Sequence, residues 1–109
     1  MRRKLTQHVV LCVAVALSAG ISWIVYREHR LAAAFQRMQV GTAENEARVQ
    51  LGSPWKIGAC GQVFGGSYPP GCKQEYIYAS PYAPIISRYW ALRFDDKGRL
   101  IDKYEYQSP

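Results

Sequence analysis

The chain has 109 residues, 14 Lys and Arg against 8 Asp and Glu for a net charge of +6, and three cysteines. That length holds one small domain and little more, and a core of that size is marginal without added constraints. The charge gives little support to a nucleic-acid footprint, because residues 1–30 carry five basic residues and one acid while residues 31–109 carry nine and seven, so most of the excess flanks one apolar segment and no nucleic-acid partner is expected.

That segment, Val9–Tyr26 (VVLCVAVALSAGISWIVY), runs 18 residues without a charge. As a helix it spans roughly 27 Å, close to the ~30 Å hydrocarbon core of a bilayer. Arg2, Arg3 and Lys4 precede it; Arg27 and Arg30 follow. Ala16-Leu17-Ser18 has the small-x-small form of a cleavage site. Ile21, Trp23, Ile24 and Val25 extend the run beyond that point, which favours an uncleaved anchor over a cleaved signal. Cys12 follows Leu11, so no lipoprotein signal forms, and Cys12 reads as an inert small hydrophobe. The expected organisation is a basic cytoplasmic N-terminus over 1–8, a transmembrane anchor over 9–26 and a periplasmic domain over 27–109. This makes a single-pass protein of the inner (cytoplasmic) membrane, oriented by its N-terminal basic cluster. Ala14, Ser18 and Ser22 have the small-x-x-x-small spacing that packs membrane helices.

After the span, Arg27–Gln39 is rich in helix formers, and Leu31, Ala34, Phe35 and Met38 fall on one stripe. The spacing predicts a helix that continues the span and ends at Gly41. A short second helix follows. Thr42 is its expected N-cap, Glu44 and Glu46 suit the positive end of its dipole, and Gly52 and Pro54 stop it. Ala43, Ala47 and Leu51 form its inward face, extended by Val40.

The remainder reads as β structure. Strands are expected over Trp55–Cys60, Gln74–Ala79 with Tyr76 and Tyr78 on one side, Ser87–Phe94 with Trp90, Leu92 and Phe94 inward, and Arg99–Tyr106. In the last strand Leu100, Tyr104 and Tyr106 are in phase while Asp102 breaks it. The Asp95-Asp96-Lys97-Gly98 turn joins the last two strands into a hairpin. Gly61–Gly71 is a Gly/Pro-rich loop, and Ser80–Ile85, with two prolines, is a connection or a broken edge. The fold class is therefore α+β: a transmembrane helix, then a small two-layer domain with two helices packed on an antiparallel sheet.

Cys60 and Cys72 lack the further ligands that zinc needs, and a disulfide is the simplest reading, two free thiols being the alternative. A bridge implies an oxidising compartment, and closing that loop contributes roughly 3 kcal/mol. Beyond Arg30 there is no histidine, so Ser-His-Asp and Cys-His pairs are absent there. Glu44 with Glu46 and Asp95 with Asp96 read as cap and turn chemistry. No cofactor, metal or small-molecule substrate is indicated, and a non-enzymatic binding role is expected. Two segments are candidates to meet a protein partner: the loop between the cysteines through Phe64 and Tyr68, and Tyr82–Tyr89 around Pro84.

Gly41, Glu46, Leu51, Gly52 and Pro54 spell G-x-x-x-x-E-x-x-x-x-L-G-x-P, and Tyr89-Trp90, Phe94-Asp95 and Gly98-Arg99-Leu100 form an aromatic-F-D-G-R hairpin. Over residues 31–109 this order resembles the BamE (SmpA/OmlA) domain family. Thr42-Ala43 stands where the family has Met-Thr, Ala47 replaces its Val, and the two cysteines are additional. The resemblance implies two helices on an antiparallel sheet, as in BamE and the β-lactamase-inhibitor-like domains, in an inner-membrane-anchored relative. It implies a protein partner in the cell envelope and a role accessory to outer-membrane protein assembly. Two other readings stay open: a periplasmic inhibitor or regulator of an envelope enzyme, and a structural subunit of a membrane complex.

Overall fold

No proline interrupts residues 2–37, and the helix formers that follow Tyr26 carry the helix onward without a break. In the computed structural model, which describes residues 2–107, they form a single helix, α1 (Arg2–Arg37). Met1 and Ser108–Pro109, at the ends of the first and last expected segments, lie outside the described residues. At ~1.5 Å per residue α1 is roughly 54 Å long. Val9 to Tyr26 are exposed along its first half. The helix is long and apolar enough near its N-terminal end to cross a membrane, a property that anchors and signal sequences share.

The second half of α1 enters the domain. Ala34, Phe35 and Met38 are buried in the core and Leu31 packs beside them, as the stripe predicts. Four strands, β1 (Lys56–Ala59), β2 (Gln74–Ala79), β3 (Arg88–Phe94) and β4 (Leu100–Gln107), form one antiparallel sheet in the order β1-β2-β3-β4. Tyr76, Tyr78, Trp90, Leu92, Phe94 and Leu100 join the helix residues in one cluster. Each buried ring removes roughly 150–250 Å² from water, which is how so short a chain fills a core. The α+β architecture is thus the expected one, with both helices on one face of the sheet.

α2 (Glu44–Leu51) is held differently from the expectation. Thr42 does not cap it: its hydroxyl donates to the Gln39 carbonyl at 2.6 Å. The cap position is Ala43, which has no side-chain oxygen to offer. The chain pairs with the β3–β4 turn instead. Gly41 N–H donates to Leu100 O at 2.7 Å, Leu100 N–H to Thr42 O at 2.8 Å, and Glu44 N–H to Gly98 O at 3.0 Å. One of the orphan donors at the helix start is therefore satisfied by a hairpin turn rather than by a cap. Gly98 has φ +73°, the left-handed region that a side chain resists, so this turn depends on glycine. Ala47 and Leu51 face the core, but Val40 is 73% exposed in the turn and does not extend their face.

β4 also corrects the expected phase. Arg93 pairs with Asp102 and Phe94 with Leu100, so Ile101 is an extra residue in the ladder. This bulge reverses the alternation: Leu100 faces the helices, while Tyr104 and Tyr106, opposite Ala91 and Tyr89, lie on the other face.

Three ties run along α1 and β4. At the far end is the Gly41–Leu100 bond. In the middle, Lys103 Nζ donates to the Phe35 and Gln36 carbonyls, both at 2.9 Å, satisfying the last turn of α1. Nearest the apolar half, Glu28 is buried on the docking stripe. It accepts from the Ser80 hydroxyl and pairs with Arg88 Nη1 at 2.6 Å, and Arg88 Nε reaches Glu105 at 2.7 Å. Truncating one member of a buried pair leaves the other uncompensated, at a cost of about 3–5 kcal/mol. Arg88 keeps Glu105 and some solvent, so Glu28→Ala should destabilise the full chain by about 3 kcal/mol in denaturant unfolding. Glu46→Ala, at an exposed position, should change stability by less than about 0.5 kcal/mol.

Candidate functional site

The face of the sheet away from the helices has its own cover. Ile77 and Ala91 are buried there, flanked by Glu75 and Arg93. The lid is the loop between Cys60 and Cys72, which form a disulfide with Cα atoms 6.1 Å apart. The loop leaves the end of the sheet far from the apolar half of α1 and folds back across the strands. Gly61 is required at its start: a Cβ there would lie 3.0 Å from the Tyr68 ring.

Arg93 holds the loop down. Its guanidinium is within 3.2 Å of both Glu75 Oε2 and Asp102 Oδ2, donates to the Ser67 carbonyl at 3.1 Å, and stands 4.8 Å from the Tyr104 ring centroid. One cation so placed satisfies two carboxylates and a loop carbonyl, which is what a buried charge requires. Burial raises the Tyr104 hydroxyl pKa, with Arg93 acting against it. One sign of this cluster is legible in the sequence, the acid at Asp102 that breaks the strand pattern.

The structure separates the two loop aromatics proposed from the sequence. Phe64 stacks on Tyr106 (ring centroids 4.3 Å apart, planes 5° apart) and tilts against Tyr89 at 5.1 Å. Trp55 extends the row, 5.2 Å from Tyr89. Phe64 is thus a half-buried part of an aromatic strip, whereas Tyr68 is 50% exposed at the loop surface. The strip was missed because its rings come from four separate segments and the β4 bulge places Tyr106 among them.

Leu51 is in the core, Gly52 and Pro54 lead into β1, and the Gly52 carbonyl accepts from the Tyr78 hydroxyl at 3.0 Å. Burial, chiefly, pushes the Tyr78 pKa up to about 12. Glu46 is exposed, and Glu44 takes the inward role, accepting from Gln74 Nε2 and from the Tyr76 hydroxyl at 3.1 Å. Asp95 orders its turn by accepting from the Lys97 and Arg99 amides, both at 2.9 Å. Among the described residues no three His, Cys, Asp or Glu side chains gather in a metal-binding group. The Tyr82–Tyr89 segment spans the β2–β3 connection, with Pro84, Ile85 and Ile86 exposed.

Comparison of the chain with protein-family models, curated proteins and solved structures finds no match.

The two loop rings should behave differently on truncation. Phe64→Ala should lower unfolding free energy by about 1–2 kcal/mol, less than the ~3–5 kcal/mol of a fully buried phenylalanine, because the ring is half exposed. Tyr68→Ala should cost less than about 1 kcal/mol. Thermal and denaturant melts of the oxidised chain measure both.

Proposed function

We propose that this chain is a non-enzymatic protein-interaction module, fixed in the inner membrane by Val9–Tyr26, with its disulfide-bonded domain in the periplasm. The observation that carries the anchor is the continuity of α1. The helix leaves its apolar half and enters the core without a break, so cleavage near Ser18 would leave Ile21, Trp23, Ile24 and Val25 exposed on a domain helix in water. Trp23 and Tyr26 beside Arg27 and Arg30 suit a membrane–water interface. The disulfide is consistent with an oxidising compartment on the far side.

Recognition is assigned to the loop-covered face. Tyr68 stands exposed on a loop fixed by the disulfide and by Arg93, beside the strip of Phe64, Tyr89, Tyr106 and Trp55. Preordered aromatics on a rigid base lose little entropy on contact and anchor many protein interfaces. The resemblance of the Leu51–Pro54 and Phe94–Leu100 motifs to the BamE pattern makes envelope assembly the setting we favour, with a protein of the cell envelope as partner.

The test is photo-crosslinking in intact cells from a photoreactive residue at Tyr68 and, as a comparison, at Asp96 in the far turn. A discrete adduct from position 68 alone is expected, and adducts from neither or equally from both would count against this face. A C-terminal alkaline phosphatase fusion should be active and the chain should retain Val9–Tyr26; an inactive fusion overturns the orientation, and a mature N-terminus near Ala19 overturns the anchor.

A further inference from the structure

The β2–β3 connection presents its apolar side chains where α1 leaves the bilayer. Pro81, Pro84, Ile85 and Ile86 lie in it, with Ile85 89% and Ile86 45% exposed. This is not a loose segment. Ser80 N–H donates to Arg88 O at 3.0 Å and closes its base. Ala83 N–H donates to Ser80 O at 2.8 Å, and the Ile85 and Ile86 amides both reach Tyr82 O, at 2.9 and 2.7 Å. The Ser80 hydroxyl also accepts from Tyr82 N–H at 3.0 Å. A turn ordered this well holds its two isoleucines outward, with no protein surface to cover them.

The base of the connection is tied to a known height on α1. Ser80 and Arg88, the residues at its two ends, both bond Glu28. Glu28 is two residues past Tyr26, the end of the apolar run, so about 3 Å further along the helix axis. The headgroup layer is roughly 5–8 Å thick on each side of the hydrocarbon core. Glu28 therefore sits within it on the anchor reading. β2 advances from Gln74, across from the far turn, to Ala79 beside Glu28, and the chain continues past Ala79 in that sense. The connection thus extends from the sheet toward the bilayer.

We propose that Pro84-Ile85-Ile86 inserts into the headgroup–acyl boundary of the membrane that α1 spans, giving the domain a second point of membrane contact. The proposal rests on reading Val9–Tyr26 as the span. Two exposed isoleucines gain by leaving water, and the boundary region accepts such side chains while the polar backbone of the turn is already satisfied internally. Together with α1, this contact fixes the tilt and rotation of the domain, turning the loop-covered face in one direction relative to the membrane plane. Arg27 and Arg30 flank the same level and suit lipid phosphates.

The experiment uses the full chain with its Cys60–Cys72 bridge intact, in a Cys12→Ser background, reconstituted in phosphatidylcholine vesicles. A single environment-sensitive fluorophore is placed by Ile85→Cys, Leu17→Cys or Asp96→Cys. Quenching is measured with nitroxide on the lipid headgroup, nitroxide deep in the acyl chain, and aqueous iodide. The expected result is deep-nitroxide quenching at position 17, headgroup-nitroxide quenching with iodide shielding at 85, and iodide quenching alone at 96. Iodide quenching at 85 equal to that at 96, with 17 still lipid-quenched, overturns the loop insertion and leaves the anchor standing. Shielding at 85 from both iodide and nitroxide assigns the loop to a protein contact and likewise overturns it. Loss of lipid quenching at 17 overturns the anchor and the insertion together.

Discussion

A carboxylate withdrawn from water needs partners, or it destabilises the fold that buries it by several kcal/mol. Glu28 has two, the Ser80 hydroxyl and the Arg88 guanidinium, and Arg88 in turn holds Glu105. These bonds join the first buried turn of α1 to β2, β3 and β4 at one end of the sheet. They also mark where the helix changes environment. From Val9 to Tyr26 its side chains are exposed and uncharged; after Glu28, one stripe is core. An ion pair at this boundary specifies which helical face meets the sheet and at what height, which apolar packing alone would leave free to slide by a turn.

The two faces of the sheet are stabilised by different means. The helix face is packed with aliphatic and aromatic side chains from α1, α2 and β2 to β4. Among the described residues no helix covers the other face. The disulfide-bounded loop takes that place, and Arg93 replaces hydrophobic burial with a set of polar contacts that ties Glu75, Asp102 and the Ser67 carbonyl together. Phe64 adds a stacked ring at the edge. A lid fixed at its base and through one cation leaves its outer surface, with Tyr68, open to solvent.

Much of this order is legible in the sequence, because period and punctuation act locally. The stripe Leu31, Ala34, Phe35 and Met38, the strand Gln74–Ala79 and the inward set Trp90, Leu92 and Phe94 all stand where their spacing places them. What escapes is whatever depends on contacts between distant segments. Thr42 has the chemistry of a cap, but the β3–β4 turn satisfies the helix start instead. Ile101 bulges and reverses a phase that was counted correctly residue by residue. Glu28 looks like one more solvated acid until the sheet brings Arg88 to it. Phe64, isolated among glycines, shows no sign that Tyr106 will lie parallel to it. Of the candidate site, the cysteine pair and the exposed tyrosine were readable, while Arg93 and the aromatic strip were products of the fold.

α1 is one continuous helix from Arg2 to Arg37, so on the proposed anchor reading the domain stands at a fixed pose on the membrane. The most direct measurement is the distance distribution between spin labels at Leu17→Cys and Asp96→Cys, in a Cys12→Ser background with the native bridge intact and the chain in lipid nanodiscs. A single narrow distribution, unchanged by lengthening the lipid tails, is the result this account requires. A broad distribution, or one that narrows only in the presence of another protein, would place a hinge between Tyr26 and Leu31 and contradict it.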